Sequence, residues 1–246
     1  MVRRVFTLKG KRLVFKESNI YVQCDNEKYF DVAYESLLRH RVEIEDYIAR
    51  EPFFLSSLEP IEVRRAPEIV MEMARAARMM NVGPMAAVAG ALADFILRDV
   101  ARAGAKSVIV ENGGDIALSV RDKIKISIYA GKSPLSGKIG FEVSPADCPL
   151  GICTSSGTVG HSLSFGDADA AVAVAKSACL ADAAATAIGN RVHGEGSLSD
   201  AVSFAKLKIR GALIIKNKKL AARGELPRVI GTRGLPTHFY KEVLKK

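Results

Sequence analysis

Between residues 5 and 30 apolar and polar positions alternate, with Val5, Phe6 and Leu8, then Leu13 and Phe15, then Ile20, Tyr21 and Val22 as the apolar members. A period of two suits half-buried strands, and Lys9-Gly10-Lys11 and Ser18-Asn19 interrupt it as turns, so antiparallel strands open the chain. From residue 31 to 50 the spacing changes. Val32, Leu37, Leu38, Val42, Ile44 and Ile48 recur among charges at helical intervals until Pro52 stops the pattern, which predicts an amphipathic helix. Beyond Pro60 and Pro67, residues 68–80 form a Met- and Ala-rich helical pattern that Asn81-Val82-Gly83 ends before Pro84 begins another. Residues 84–103 are apolar on most sides and carry Ala86, Ala87, Ala89, Gly90, Ala91 and Ala93, which predicts a buried helix packed close to a neighbour.

The second half reads mainly as strands, at residues 107–110, 116–120, 124–129, 140–143, 151–153 and 170–175. An Ala-rich helix follows over about 178–192, Ser199 caps a short helix ending near Lys206, and residues 212–215 with 220–222 form a closing hairpin. No linker exceeds a few residues. The expectation is an α+β protein with one domain over 1–246, built as one body or as two lobes.

Composition narrows the function classes. A chain of 246 residues, 48% hydrophobic, buries about 70% of its unfolded surface and needs no disulfide staples. Cys24, Cys148, Cys153 and Cys179 are too few for a secreted framework and contain no Cys-x-x-Cys, so reduced thiols in a cytoplasmic protein are expected. No stretch reaches the roughly 18 apolar residues of a membrane span, and no signal-length apolar run follows the N-terminal bases. The net charge of +9 is concentrated at the ends, with six bases and no acid from Arg3 to Lys16 and twelve bases against Glu225 and Glu242 from Lys206 onward. Trp is absent and no aromatics interleave with the bases, which argues against nucleic acid and leaves a field suited to gathering a small anion.

Three segments carry candidate chemistry. In Asn112-Gly113-Gly114-Asp115 two glycines supply the positive φ angles of a tight hairpin. They would also let a phosphate or ring approach main-chain N–H groups, with Asn112 and Asp115 at the rim. In residues 151–162, Thr154, Ser155, Ser156 and Gly157 offer hydroxyls and N–H groups to an anion, although the same composition builds a plain surface turn. His161 reads as a catalytic candidate or a structural histidine. Cys153 reads as a reactive thiol for sulfur-transfer chemistry or as an inert buried cysteine. No elbow motif surrounds any serine, which argues against a hydrolase triad. Asp182 and Thr186, four apart in a helix of alanines, share one face and supply two hard oxygen ligands of the kind Mg²⁺ takes alongside phosphates. The alternative is that Thr186 bonds back to the helix and Asp182 faces solvent.

Taken in order, these segments resemble the flavin transferase family ApbE, once called thiamine biosynthesis lipoproteins, and more closely its uncharacterised cytoplasmic relatives. The resemblance covers residues 83–192. Asn112-Gly113-Gly114-Asp115 is similar to that family's glycine turn against the flavin nucleotide, Ser156-Gly157 to its Ser-Gly turn, and His161 to its downstream histidine. Asp182 and Thr186 match its Asp-x-x-x-Thr magnesium site, and Gly90 with Asp94 its Gly-x-x-x-Asp helix. The resemblance implies antiparallel sheets flanked by helices, a flavin (FAD or FMN) or adenine nucleotide as ligand with Mg²⁺, and either pyrophosphate cleavage or FMN transfer. The chain departs from the pattern at Ala89, where the transferases generally carry lysine. It also lacks their Asp-Pro-x-Thr-Gly loop between His161 and Val172 and their lipoprotein cysteine. A metabolite-binding accessory protein without turnover is the alternative these departures imply, and homo-oligomerisation is left open.

Overall fold

The structure is a computed structural model and describes residues 8–159, 164–204 and 209–232. The N-terminal alternation makes one hairpin, β1 (Lys9–Phe15) and β2 (Ser18–Cys24), in register from Lys9 opposite Cys24 to Phe15 opposite Ser18. Its turn lies at Lys16-Glu17, with Lys16 at a φ of 51°, and not at the two polar breaks expected from the sequence. A lysine in the left-handed region leaves no compositional mark, which is why the turn was misplaced. Helix α1 (Tyr29–Arg50) follows, then a single turn α2 (Phe53–Ser56), then α3 (Glu68–Met80), which Asn81 ends in the left-handed conformation. A 3-10 turn at Pro84–Ala87 leads into α4 (Val88–Arg102), and this stretch is bent by 104° from α3. Among the described residues no single helix is long and apolar enough to cross a membrane.

The strands β3 (Val108–Asn112), β4 (Asp115–Ser119), β7 (Leu150–Ser155), β8 (Ala170–Ala175), β9 (Gly211–Lys216) and β10 (Lys219–Gly224) join β1 and β2 in an antiparallel sheet of order β1-β2-β3-β4-β7-β8-β9-β10. A second sheet, β11-β6-β5, contains β5 (Ile124–Ser127), β6 (Ile139–Val143) and β11 (Arg228–Gly231). Helices α5 (Ala178–Gly189) and α6 (Leu198–Phe204) complete the chain. Ser199 lies within α6 rather than capping it. The hairpin β9-β10 does not close the chain, because β11 returns to pair with β6.

Side-chain alternation in the large sheet separates two cores. Val110, Ala117, Cys153, Ala171, Ala173 and Ile214 face the helices, while Leu118, Ile152, Val172, Val174 and Leu213 face the small sheet. The result is three layers, with helices on one face of the large sheet and the small sheet on the other, so β8 is buried along its whole length. Alanines on both partners let α5 lie close over β7 and β8. A Cβ at Gly151 would come within 2.4 Å of Ala178, and one at Gly189 within 3.3 Å of the Ser155 hydroxyl. The four-residue advance along β7 covers about 13 Å and the eleven-residue advance along α5 about 16 Å, so the two run side by side in the same direction.

Candidate functional site

Helices α4 and α5 meet at their N-termini, and each caps the other. Asp94 on α4 accepts the first N–H groups of α5, from Ala178 at 2.9 Å and Cys179 at 2.7 Å, while Ser177 accepts from Leu180 at 3.2 Å. In return Asp182 on α5 accepts the Gly90 N–H of α4 at 2.9 Å, and the Ala89 N–H also favours its charged form. These main-chain donors have no partner inside their own helices, so a carboxylate from the neighbour satisfies them and meets the positive helix end. The crossing needs glycine at position 90, because a Cβ there would lie 2.2 Å from the Ala178 carbonyl oxygen. The matched Gly90 and Asp94 thus have a structural role, and Asp182 a structural role beside any chemical one.

The hairpin β3-β4 brings the glycine turn to this junction. Gly113 and Gly114, at φ 66° and 118°, form a two-residue loop between paired Asn112 and Asp115. The turn alone requires glycine there, since a Cβ at Gly113 would meet nothing within 4 Å. The hairpin reading of these glycines is therefore fulfilled. Asn112 ties the turn to α4 by donating to the Ala89 carbonyl at 3.3 Å. Asp115 shares the parity of Ala117, whose side chain faces the helices. It therefore stands on the same face of the sheet as Asp182.

The electrostatics follow from this gathering of acids. Burial pushes Asp115 up to about 7 despite the Cys153 thiol and the Thr154 main-chain N–H beside it. Burial and the Asp115 charge push Asp182 well above the carboxylate range, against the pull of the Gly90 and Ala89 N–H groups. Burial raises Asp94 to about 6 even with its two N–H partners. Glu111 is also raised by burial to about 7, but it alternates with helix-facing Val110 and so lies on the opposite face of the sheet, outside this gathering. Among the described residues, Oδ1 of Asp115 is buried without a hydrogen-bond partner. Two facing carboxylates, one with an orphaned oxygen, fit a divalent cation in charge and in donor type. Among the described residues no three His, Cys, Asp or Glu side chains converge to hold a metal by themselves. A cation at Asp182 would therefore draw on Thr186 and on ligand oxygens to complete its shell.

The second segment divides. Ser155 shares the parity of Cys153 and faces α5 beside Gly189, whereas Thr154 shares that of Ile152 and points to the small-sheet side. Thr154 reaches the site through its main chain. Ser156 uses its hydroxyl on its own turn, accepting from Thr158 at 3.1 Å and Val159 at 3.0 Å. Gly157 is required by chain packing, since a Cβ there would sit 2.0 Å from the Gly166 carbonyl. Cys153 is fully buried, with its Sγ donating to the Ala178 carbonyl at 3.3 Å. Burial and the charges of Asp115, Asp182 and Asp94 push its thiol well up, the opposite of what a ready nucleophile needs. His161 lies outside the described residues. A cavity of about 420 Å³ at the C-terminal end of α1, lined by Tyr47, Phe53, Phe54 and Arg50 among others, involves none of these site residues.

This architecture is that of solved flavin transferases. The apo flavinyl transferase ApbE of Pseudomonas stutzeri matches with a TM-score of 0.57 at 11% identity, covering 92% of this chain and 95% of that one. The ApbE protein of Thermotoga maritima matches with a TM-score of 0.56 at 11% identity, over 89% and 97%. At such identity the likeness establishes the fold, α+β with antiparallel sheets flanked by helices. The chain belongs to the family described as AbpE bacteria, whose model matches residues 4–203. Among its relatives are a UPF0280 protein of Methanocella arvoryzae, 44% identical over 92% of this chain and 93% of its own length, and UPF0280 protein MJ1526 of Methanocaldococcus jannaschii, 43% identical over 90% and 93%.

Proposed function

We propose that the protein binds a flavin or adenine nucleotide through a divalent cation, Mg²⁺, held on the Asp182 and Thr186 face of α5. The observation that carries this reading is the apposition of Asp115 and Asp182, two carboxylates placed where the glycine turn, the N-terminus of α4 and the middle of α5 meet. Mg²⁺ commonly takes one or two carboxylates and completes its octahedron with water and phosphate oxygens, which matches a site too sparse in protein ligands to be a closed cage. When bound, the ion would neutralise charge on a pyrophosphate and favour its cleavage. The chain's own residues do the rest. Asp182 is oriented by the Gly90 N–H, and Asn112 fixes the glycine turn against α4.

Calorimetric titration with FAD, FMN, ADP and ATP tests the reading. Binding that needs Mg²⁺ and is abolished by chelator supports it, and no binding of any of the four with Mg²⁺ present overturns it. A second reading, holding without turnover, is favoured by Ala89, which stands where the resembled transferases carry lysine and here only contributes its main chain to Asp182 and Asn112. Incubation with FAD and Mg²⁺ separates the two, because release of FMN and AMP occurs only if the protein cleaves.

A further inference from the structure

Three carboxylates of the α4-α5 junction differ in how many of their oxygens are already engaged. Both oxygens of Asp94 accept main-chain N–H groups of α5, at 2.9 and 2.7 Å. Asp182 has Oδ2 turned to Gly90 at 2.9 Å. Asp115 has the Cys153 thiol and the Thr154 N–H beside it, yet alone of the three it has a buried oxygen, Oδ1, with no hydrogen-bond partner among the described residues. An unpaired buried carboxylate oxygen is costly, because it has lost water and gained nothing in return. Its position is also rigid, since Asp115 begins β4, closes the Gly113-Gly114 turn opposite Asn112, and lies on the helix-facing side of the sheet.

We infer that Asp115 is a direct ligand of the divalent cation, supplying Oδ1 from the sheet while Asp182 and Thr186 supply oxygens from α5. The inference rests on the metal reading above and extends it to a residue on a different element. Asp115 on β4 and Asp182 and Thr186 on α5 would then hold the ion from two elements, with the glycine turn that Asp115 closes beside it. When a cation displaces their protons, the two carboxylates supply up to two negative charges, which favours a divalent over a monovalent ion. The hard oxygen set favours Mg²⁺ or Mn²⁺ over thiophilic metals, and Cys153, whose thiol lies between the Ala178 carbonyl and Asp115, is a hydrogen-bonding neighbour of the site rather than a ligand.

The test uses Mn²⁺ alone as probe, titrated into the full chain and followed by the electron paramagnetic resonance signal of free Mn²⁺. Wild type, Asp115→Asn, Asp115→Ala and Asp182→Asn are compared, with urea unfolding of each in chelator as the control for folding. The expected result is saturable binding by wild type and a loss of more than about tenfold in affinity for both Asp115 variants. The chelated unfolding midpoint of Asp115→Asn should be no lower than wild type, since the amide removes the desolvated carboxylate at Oδ1 while keeping the side chain's shape. A purely structural Asp115 would instead lower that midpoint. Binding by both Asp115 variants at wild-type affinity, with Asp182→Asn impaired, overturns the assignment of Asp115 and leaves the metal reading standing. Absence of saturable binding in wild type overturns both.

Discussion

Asp94 and Asp182 each stand four residues after the first-turn N–H group that the other accepts, Gly90 on α4 and Ala178 on α5. Removing an N-terminal cap costs about 1–2 kcal/mol, so Asp94→Ala should lower unfolding free energy by that amount in urea, with the loss centred on α5. An unchanged midpoint would mean that water replaces the cap without penalty. Gly90→Ala should cost about 1–3 kcal/mol, because its Cβ would be driven to 2.2 Å from the Ala178 carbonyl. The residue types of this junction were legible in the sequence, where Asp182 with Thr186 stood out by spacing and Gly90 with Asp94 by the family resemblance. Their mutual use was not, since a partner 84 or 92 positions away leaves no local trace. The internal engagement of the hydroxyl-rich segment is hidden for a related reason. Composition counts hydroxyls, but strand parity turns Thr154 away and local geometry ties Ser156 to its own turn.

Elements with strong periodicity were visible before the structure, and those defined by pairing alone were not. Helix α3 and strand β8 have the limits expected from pattern, because Asn81 and the surrounding turns punctuate them. Strand β11 has only four residues, mostly exposed, and exists through its ladder with β6. Helix–helix contacts show the same dependence. Buried His40 on α1 joins Glu43 at 2.8 Å and Asp99 of α4 at 3.0 Å, while Ser36 donates to the same Asp99 oxygen at 2.7 Å and Arg39 also pairs with it. Burial raises Asp99, but the Ser36 and His40 hydrogen bonds and the Arg39 charge outweigh it and lower its pKa overall. Asp99→Ala leaves Ser36 and His40 without their shared acceptor and should cost about 2–3 kcal/mol in chemical unfolding. A loss below about 0.5 kcal/mol would place this pair among ordinary surface contacts.

For the whole molecule, the raised acids give stability an unusual direction with pH. Glu111 at about 7 and Asp94 at about 6 hold protons in the folded state that their ordinary values, 4.5 and 3.8, would release on unfolding. The folded chain therefore binds more protons between about pH 4 and pH 7 and loses stability as pH rises through that window. Asp99, Asp147 and Asp167, whose pKa values are lowered, add stability above their ordinary range and lose it only in acid. In chelator, urea unfolding should show lower stability at pH 8 than at pH 5, and Glu111→Gln should flatten the difference. A stability that is level or rises over that interval would contradict this. The α+β class was readable from the sequence, but the apposition of half-buried Asp115 and Asp182 was not, since it is a property of the assembled layers.

The central claim is that a divalent cation joins Asp182 to the phosphates of a nucleotide. Crystals grown with Mn²⁺ and ADP, measured at an energy where manganese scatters anomalously, place the ion directly. The account predicts one strong anomalous peak about 2.1–2.2 Å from an Asp182 oxygen, with phosphate oxygens in its shell. Nucleotide bound with no peak at Asp182, or a peak on other residues of the chain, would contradict it.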